Sequence, residues 1–253
     1  MISRRKVILA ALTAPYLVNA NSSHAQDSAN VVGESSDFLQ LPMPSIASLD
    51  DASLFGFKPA TAAQIAKAQA IIDATPKGPT PFAIAQSFIE RFYGKDNDAI
   101  SQWPAPSNWN PLVKEFFTAT SLRANDDMVD WCAAFVNWCI ERNNKNGTDS
   151  AASQSFVNSG KFKKADKPEP GNLVVFTCYD KTTNKSLGIG HVCFLKEILG
   201  VSKIRVIGGN QSADGHSSII CERDFVTTPF EGRRHVDGVY VPCIIRLNAY
   251  LIV

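Results

Sequence analysis

Hydrophobic residues follow two different patterns along the chain. Between residues 61 and 157 they recur at the three- and four-residue spacing of helices, and after residue 171 they form short runs bounded by turn residues. These patterns predict helices over 61–74, 81–92, 112–117, 131–140 and 151–157, and strands over 172–178, 191–198, 202–207, 218–221 and 239–246. Helices first and strands afterwards, with short connections between strands, predict an α+β fold with helices packed on an antiparallel sheet.

The central predicted helix lies within residues 130–140, which read DWCAAFVNWCI. Its large apolar residues cover most of the helix surface and are Trp131, Phe135, Trp138 and Ile140. A helix that is apolar on most sides is buried, so we expect this helix to lie at the centre of the domain. Asp130 is a residue type that caps helix N-termini, and we expect it to be the N-cap.

Cys132 would then lie in the first turn of that helix, where the positive end of the helix dipole favours a thiolate over a thiol. This position suits a cysteine nucleophile. The alternative is that Cys132 is one more buried core cysteine, since free cysteine is among the most buried residue types.

The composition is that of a globular protein: 45% of the 253 residues are hydrophobic, 19% are charged and the formal net charge is +1. No basic run occurs beyond the N-terminus, so the sequence gives no indication of nucleic-acid binding. Six cysteines are present: Cys132, Cys139, Cys178, Cys193, Cys221 and Cys243. An even number is compatible with disulfides in an exported protein, but the sequence does not determine which cysteines pair.

Residues 1–25 are predicted to be an export signal. Three basic residues precede an apolar run over 7–18, and a small-x-small cleavage site ends at Ala25. The basic segment also resembles a twin-arginine signal. The apolar run is too short to span a bilayer, so we expect no stable membrane anchor and a periplasmic or secreted protein. We divide the rest into a linker with an N-terminal helix over 26–79 and a main domain over 80–253.

A cysteine nucleophile needs a base, and His191 is the best candidate. It follows Gly188-Ile189-Gly190 at the start of a predicted strand, where glycine permits a close backbone approach. Asn210 ends the next predicted strand in a Gly-Gly-Asn-Gln turn, where its amide is suited to orienting the imidazole. The alternatives are a half-buried strand histidine and an asparagine that serves only the turn.

Metal binding is the rival chemistry for the same region. A zinc site would draw on Cys132, His191, Cys193 and His216, but the compact ligand spacings of known zinc sites are absent. We therefore expect neither a metal nor an organic cofactor.

Four segments occur together in the order typical of one family. They read WCAAFVNWC at 131–139, PGNLVVF at 170–176, GHV at 190–192 and GGNQ at 208–211. The set resembles the CHAP-type cysteine amidases and peptidases, which are related to NlpC-type peptidases, and more narrowly a bacterial subgroup with the tryptophan-cysteine helix and the Gly-Gly-Asn-Gln turn. The resemblance covers about residues 80–246.

The resemblance implies a papain-like core and a site in which Cys132 is the nucleophile, His191 the base and Asn210 the orienting residue. It also implies hydrolysis of amide bonds in or next to the stem peptides of bacterial peptidoglycan. Trp131 and Gln211 are further candidates for the substrate cleft.

Two other functions remain open at this stage. One is a non-catalytic module that binds cell wall or a partner, which a disulfide between Cys132 and Cys193 would favour. The other is an antibacterial effector that directs the same chemistry at a competitor's wall. The sequence does not identify the bond cleaved or the oligomeric state.

Overall fold

The computed structural model describes residues 58–103, 109–122, 129–212, 218–236 and 239–253. The predicted export signal over 1–25 and the polar linker up to residue 50 lie outside the described residues. In the described part of the chain, no helix is both long enough and apolar enough to cross a bilayer.

The α-helices come first, as predicted. They are α1 (Ala62–Asp73), α2 (Pro81–Phe92), α3 (Pro111–Phe116), α4 (Cys132–Arg142) and α5 (Ser155–Asn158). Two short 3-10 helices span Asn97–Ile100 and Phe117–Ala119.

Three of the helices begin with a side-chain cap supplied by the residue just before them. Thr61 forms a capping box with Gln64 at α1. The Thr80 hydroxyl accepts a hydrogen bond from the Ala83 N–H at 3.1 Å, and the Asn110 carboxamide accepts one from the Leu112 N–H at 2.9 Å. These caps satisfy N–H groups that have no partner within the helix, so α1, α2 and α3 each start at a point that the local sequence specifies.

The strands form one sheet. They are β1 (Lys163–Lys164), β2 (Leu173–Asp180), β3 (Ser186–Ile198), β4 (Lys203–Gln211), β5 (Ile219–Val226), β6 (Phe230–Val236) and β7 (Val239–Ile252). The order across the sheet is β1-β7-β2-β3-β4-β5, with β6 also paired to β7, and every recorded pairing is antiparallel. The predicted α+β class is therefore confirmed.

The sheet separates two hydrophobic clusters, and alternate residues of its central strands enter one or the other. On the helix side, Val192 and Phe194 of β3 pack in the cluster that contains α4. On the opposite side, Cys193 and Leu195 of β3 join Phe225 of β5. Because β3 is buried on both faces around His191, neither face of the strand is exposed to solvent at that position.

Helix α1 packs on α3, and its Ala68 and Ile71 side chains belong to the helix-side cluster. The guanidinium of Arg142, at the end of α4, donates hydrogen bonds to the carbonyls of Ile72 at 3.1 Å and Thr75 at 2.6 Å. The first described helix is thus attached to the central helix. The division of the chain at residue 80 stays a prediction.

Candidate active site

Cys132 is the first residue of α4, and its side chain is almost completely buried, with 3% of the residue exposed. The prediction that Asp130 caps this helix is wrong. Trp131 occupies the N-cap position, and its side chain does not cap the helix. The carboxylate of Asp130 accepts a hydrogen bond from Nδ2 of Asn210 at 2.8 Å.

The start of α4 rests on the end of β4. A Cβ atom on Gly209 would overlap the indole ring of Trp131 and lie 3.0 Å from Cβ of Phe135. Trp131 is fully buried, and its ring stacks on Phe116 with centroids 6.0 Å apart. The second glycine of the Gly-Gly-Asn-Gln turn is therefore a packing requirement, because only glycine lets the indole approach the strand this closely.

Three hydrogen bonds tie the residues before Cys132 to the ends of β4 and β5. Nε1 of Trp131 donates to the hydroxyl of Ser218 at 3.1 Å, and that hydroxyl donates to Oδ1 of Asn210 at 2.7 Å. Nδ2 of Asn210 then donates to Asp130 at 2.8 Å. Both polar atoms of the Asn210 amide are engaged in this chain, which leads to the start of α4. The predicted role of Asn210 in orienting His191 stays a prediction.

His191 lies in β3 opposite Phe176 of β2, and only 2% of the residue is exposed. Its ring centroid lies 6.2 Å from that of Phe225. Gly190, just before it, is pressed against the Phe176 carbonyl, and a Cβ atom there would overlap that oxygen. The close approach expected from the glycine before His191 is therefore present.

Gln154 was not identified from the sequence, although it helps to fix β2 beside His191. Its Nε2 donates to the Phe176 carbonyl at 2.8 Å, and its Oε1 accepts from the Thr177 hydroxyl at 2.6 Å. No sequence signal marks this role, because a glutamine in a short helix is an ordinary surface residue until the fold brings it to the sheet.

Cys193 interacts electrostatically with the candidate nucleophile, Cys132, and lies in the same strand as His191. Burial raises the pKa of the Cys193 thiol well above its usual range, and the nearby charge of Cys132 raises it further. Cys132 is therefore within electrostatic range of Cys193, which lies two residues after His191 on the same face of β3. The thiol of Cys193 donates to the Val174 carbonyl at 3.8 Å, as expected of a protonated sulfur.

The other cysteines differ from Cys132 in their position. All six are buried and recorded as thiols, so none is in a disulfide in this structure. Cys139 lies in the interior of α4, and burial raises its pKa well above the usual value. Cys132 alone among them is the first residue of a helix.

The amide of Gln211 contrasts with that of Asn210. Gln211 is 1% exposed, and neither Nε2 nor Oε1 has a hydrogen-bond partner among the described residues. Its amide lies over Gly208, where an added Cβ atom would overlap Nε2 and lie 2.8 Å from Cβ of Cys193. Gln211 thus presents a buried polar group on the sheet face that also holds Cys193.

In the described part of the chain, no group of three or more histidine, cysteine, aspartate or glutamate side chains is arranged to hold a metal ion. His216, one member of the alternative zinc set, lies outside that part.

Comparison with protein families gives one match, to the CHAP domain at residues 124–210. The matched residues include Cys132, His191 and Asn210, whereas α1 to α3 and β5 to β7 lie outside them. Neither the search of curated proteins nor the search of solved structures gave a match. CHAP domains are typically amidases or peptidases, and the domain suggests peptidoglycan hydrolysis or a related activity. Residues 124–210 therefore match the CHAP domain, as the tryptophan-cysteine helix and the Gly-Gly-Asn-Gln turn predicted.

Proposed function

We propose that the protein is an exported cysteine hydrolase that cleaves amide bonds of bacterial peptidoglycan, with Cys132 as nucleophile and His191 as general base. The observation that carries the proposal is the start of α4. A thiol occupies the first residue of a buried helix whose N-cap residue, Trp131, supplies no side-chain cap.

This helix start supports two parts of the chemistry. The positive end of the helix dipole favours the thiolate form of Cys132. The backbone N–H groups at a helix start are hydrogen-bond donors for the negative oxygen that develops when an amide carbonyl is attacked. At α1, α2 and α3 a side-chain oxygen already occupies the corresponding donors, so those helices are less suited to this task.

The reaction proceeds in two stages. The Cys132 thiolate attacks the amide carbon, and the resulting tetrahedral oxyanion collapses to a thioester as the C–N bond breaks and His191 gives its proton to the leaving amine. His191 then takes a proton from water, the hydroxide attacks the thioester, and the carboxylic acid product leaves as the thiolate is restored. No redox partner is needed.

The proposal assigns Trp131 to packing and not to the cleft wall. Its ring is fully buried between Gly209 and Phe116, so it has no surface to offer a substrate. Gln211 keeps its place as a cleft candidate, because neither polar atom of its amide has a hydrogen-bond partner within the described part of the chain.

Peptidoglycan as substrate is supported by the family match and by the predicted export signal, which would deliver the protein to the compartment of the cell wall. The stem peptide, with its amide bonds, is the substrate class that fits a cysteine nucleophile.

The first test is pH-dependent alkylation of the purified protein with iodoacetamide, mapped by mass spectrometry. We expect Cys132 to react fast well below the ordinary thiol pKa of about 8.5, and Cys139 and Cys193 to react slowly. His191→Ala should abolish the fast reaction, whereas the matched control His235→Ala should not. Slow reaction of Cys132 at every pH would overturn the proposal. Reaction only after reduction would favour the non-catalytic module.

The second test is digestion of purified peptidoglycan, with products separated and identified by mass spectrometry. New amino termini in or beside the stem peptide, absent with Cys132→Ala, are expected. Intact sacculi after incubation with the reduced wild-type protein would contradict the assignment of the substrate.

A further inference from the structure

We infer that Asn210 is a positioning residue for Cys132, acting through Asp130 and Trp131. This inference rests on the proposed function, because it assigns a role within the same site. It also explains why a helix start without a local cap is held in a defined place.

The directions of the hydrogen bonds follow from the chemistry at the two ends of the chain. The indole of Trp131 can only donate, so the Ser218 oxygen accepts there and its one hydroxyl proton is available for Asn210. The ionised carboxylate of Asp130 can only accept, so Asn210 must present Nδ2 to it. The amide orientation of Asn210 is therefore fixed from both sides, with Oδ1 facing Ser218.

The backbone at Asn210 explains why few other residues would serve. Its φ is 55°, in the left-handed region that asparagine tolerates better than most residues. The pairing of β4 with β5 shifts register between Gly208 and Gln211, a bulge that turns the Asn210 side chain toward the start of α4. Glycine would fit this backbone conformation but has no side-chain amide to form these hydrogen bonds. Aspartate would set a second carboxylate against Asp130.

The position of Cys132 depends on this arrangement because the two residues before it are the ones held. Trp131 is fixed through Ser218 and by its packing on Gly209, and Asp130 is fixed by Asn210. The network also determines where the negative charge of Asp130 lies relative to a thiolate two residues away. Movement of this segment would shift both the sulfur and the N–H groups that face the oxyanion.

Exchanging the carboxylate and the amide between positions 130 and 210 tests the inference directly. Asn210→Asp places two carboxylates together and should lower the alkylation rate of Cys132 by about tenfold on the high-pH plateau, where the thiolate is fully formed. The double variant Asp130→Asn with Asn210→Asp restores one donor between the two side chains and should recover most of the rate. A residue that served only His191 would not be rescued by a change at position 130.

Two further variants keep the test valid if the aspartate variant does not fold. Ser218→Ala should lower the plateau rate by a smaller factor, about threefold, whereas Ser218→Thr, which keeps the hydroxyl, should stay near wild type. The NMR titration of His191 should be unchanged in all of these variants. A shifted His191 titration in Asn210→Asp, together with no rescue by Asp130→Asn, would overturn the inference.

The outcomes also separate the inference from the proposed function. If wild-type Cys132 shows no accelerated alkylation, the proposed function fails. If wild-type Cys132 is accelerated but the Asn210 and Ser218 variants match it, only the positioning role fails.

Discussion

The helices of this protein begin in two different ways. Helices α1, α2 and α3 are each capped by the side chain of the residue before them, whereas α4 has no side-chain cap and is held by residues about 80 positions further along the chain. The locally capped helices bear no candidate catalytic group. Among the described α-helices of six or more residues, α4, which carries Cys132, is the one whose N-cap residue supplies no side-chain cap; the four-residue α5 also lacks one.

The difference shows how a helix start can be fixed in place without occupying its donors. A local cap would satisfy the same N–H groups that an oxyanion needs. Hydrogen bonds between Asp130 and Asn210 and between Trp131 and Ser218 hold the segment, while Trp131 itself supplies no side-chain cap. Tertiary contacts then stabilise the start of α4, and its backbone N–H groups can serve the reaction.

The largest expected effect comes from Gly209→Ala, which disrupts the packing of the start of α4 on β4. The added methyl group would overlap the buried indole of Trp131 and crowd Phe135, so we expect a loss of about 3 kcal/mol in the free energy of unfolding. Urea denaturation measures it. The control Gly160→Ala, at an open position with φ of 68°, should cost only about 1 kcal/mol from backbone strain. Equal losses in the two variants would contradict the packing argument.

The next largest expected effect concerns Gln211, whose side-chain amide has no hydrogen-bond partner among the described residues. Burying an amide without partners costs about 1–3 kcal/mol, so Gln211→Leu should raise the free energy of unfolding by about 1 kcal/mol. If the amide serves the substrate, peptidoglycan digestion should fall in the same variant while alkylation of Cys132 stays normal. A stabilised variant with full digestion would remove Gln211 from the cleft.

Removing a local cap should separate stability from reactivity. Thr80→Ala deletes the cap of α2 and should cost about 1 kcal/mol of stability. Because α2 supplies no group of the site, the pH profile of Cys132 alkylation should be unchanged. Thermal unfolding followed by circular dichroism gives the first quantity and iodoacetamide labelling gives the second. A changed alkylation profile would show that the two kinds of helix start are not independent.

The smallest effect concerns the charges on the outer part of β4 and β5. Hydrogen bonding to Arg205 and the proximity of Lys203 lower the pKa of Asp224. A carboxyl whose pKa is lower in the folded state stabilises the fold above its unfolded pKa of about 3.9 and loses that contribution as the pH falls through the folded value. Asp224→Asn should cost about 0.5 kcal/mol at pH 7 and less at pH 3. A cost that does not decrease on acidification would contradict this origin.

The regular elements were largely predictable because each depends on local spacing. The helix predicted over 81–92 is found at Pro81–Phe92, and the one predicted over 61–74 at Ala62–Asp73. Strand β6 was missed, since its sequence FEGRRHV is mostly polar and lacks the alternation that marks a half-buried strand. It is stabilised by pairing with β7, which no local pattern announces.

The candidate site was predictable in its residue types and not in its contacts. Cys132, His191 and Asn210 were identified in order along the chain, and the family match contains all three. Their assigned roles stay proposals. Asp130 was placed at the helix N-cap because an aspartate before an apolar run normally takes that position, yet a partner 80 residues away binds its carboxylate.

The sequence by itself determined the helix and strand periods, the α+β class and the segment that holds the candidate nucleophile, because periodic burial and turn chemistry act between neighbours along the chain. Only the tertiary structure decided how α4 begins, and that the Asn210 amide at the end of β4 has hydrogen-bond partners whereas the Gln211 amide has none among the described residues. Those outcomes depend on hydrogen bonds and close packing between residues far apart in sequence. Their partners exist only after the sheet has formed.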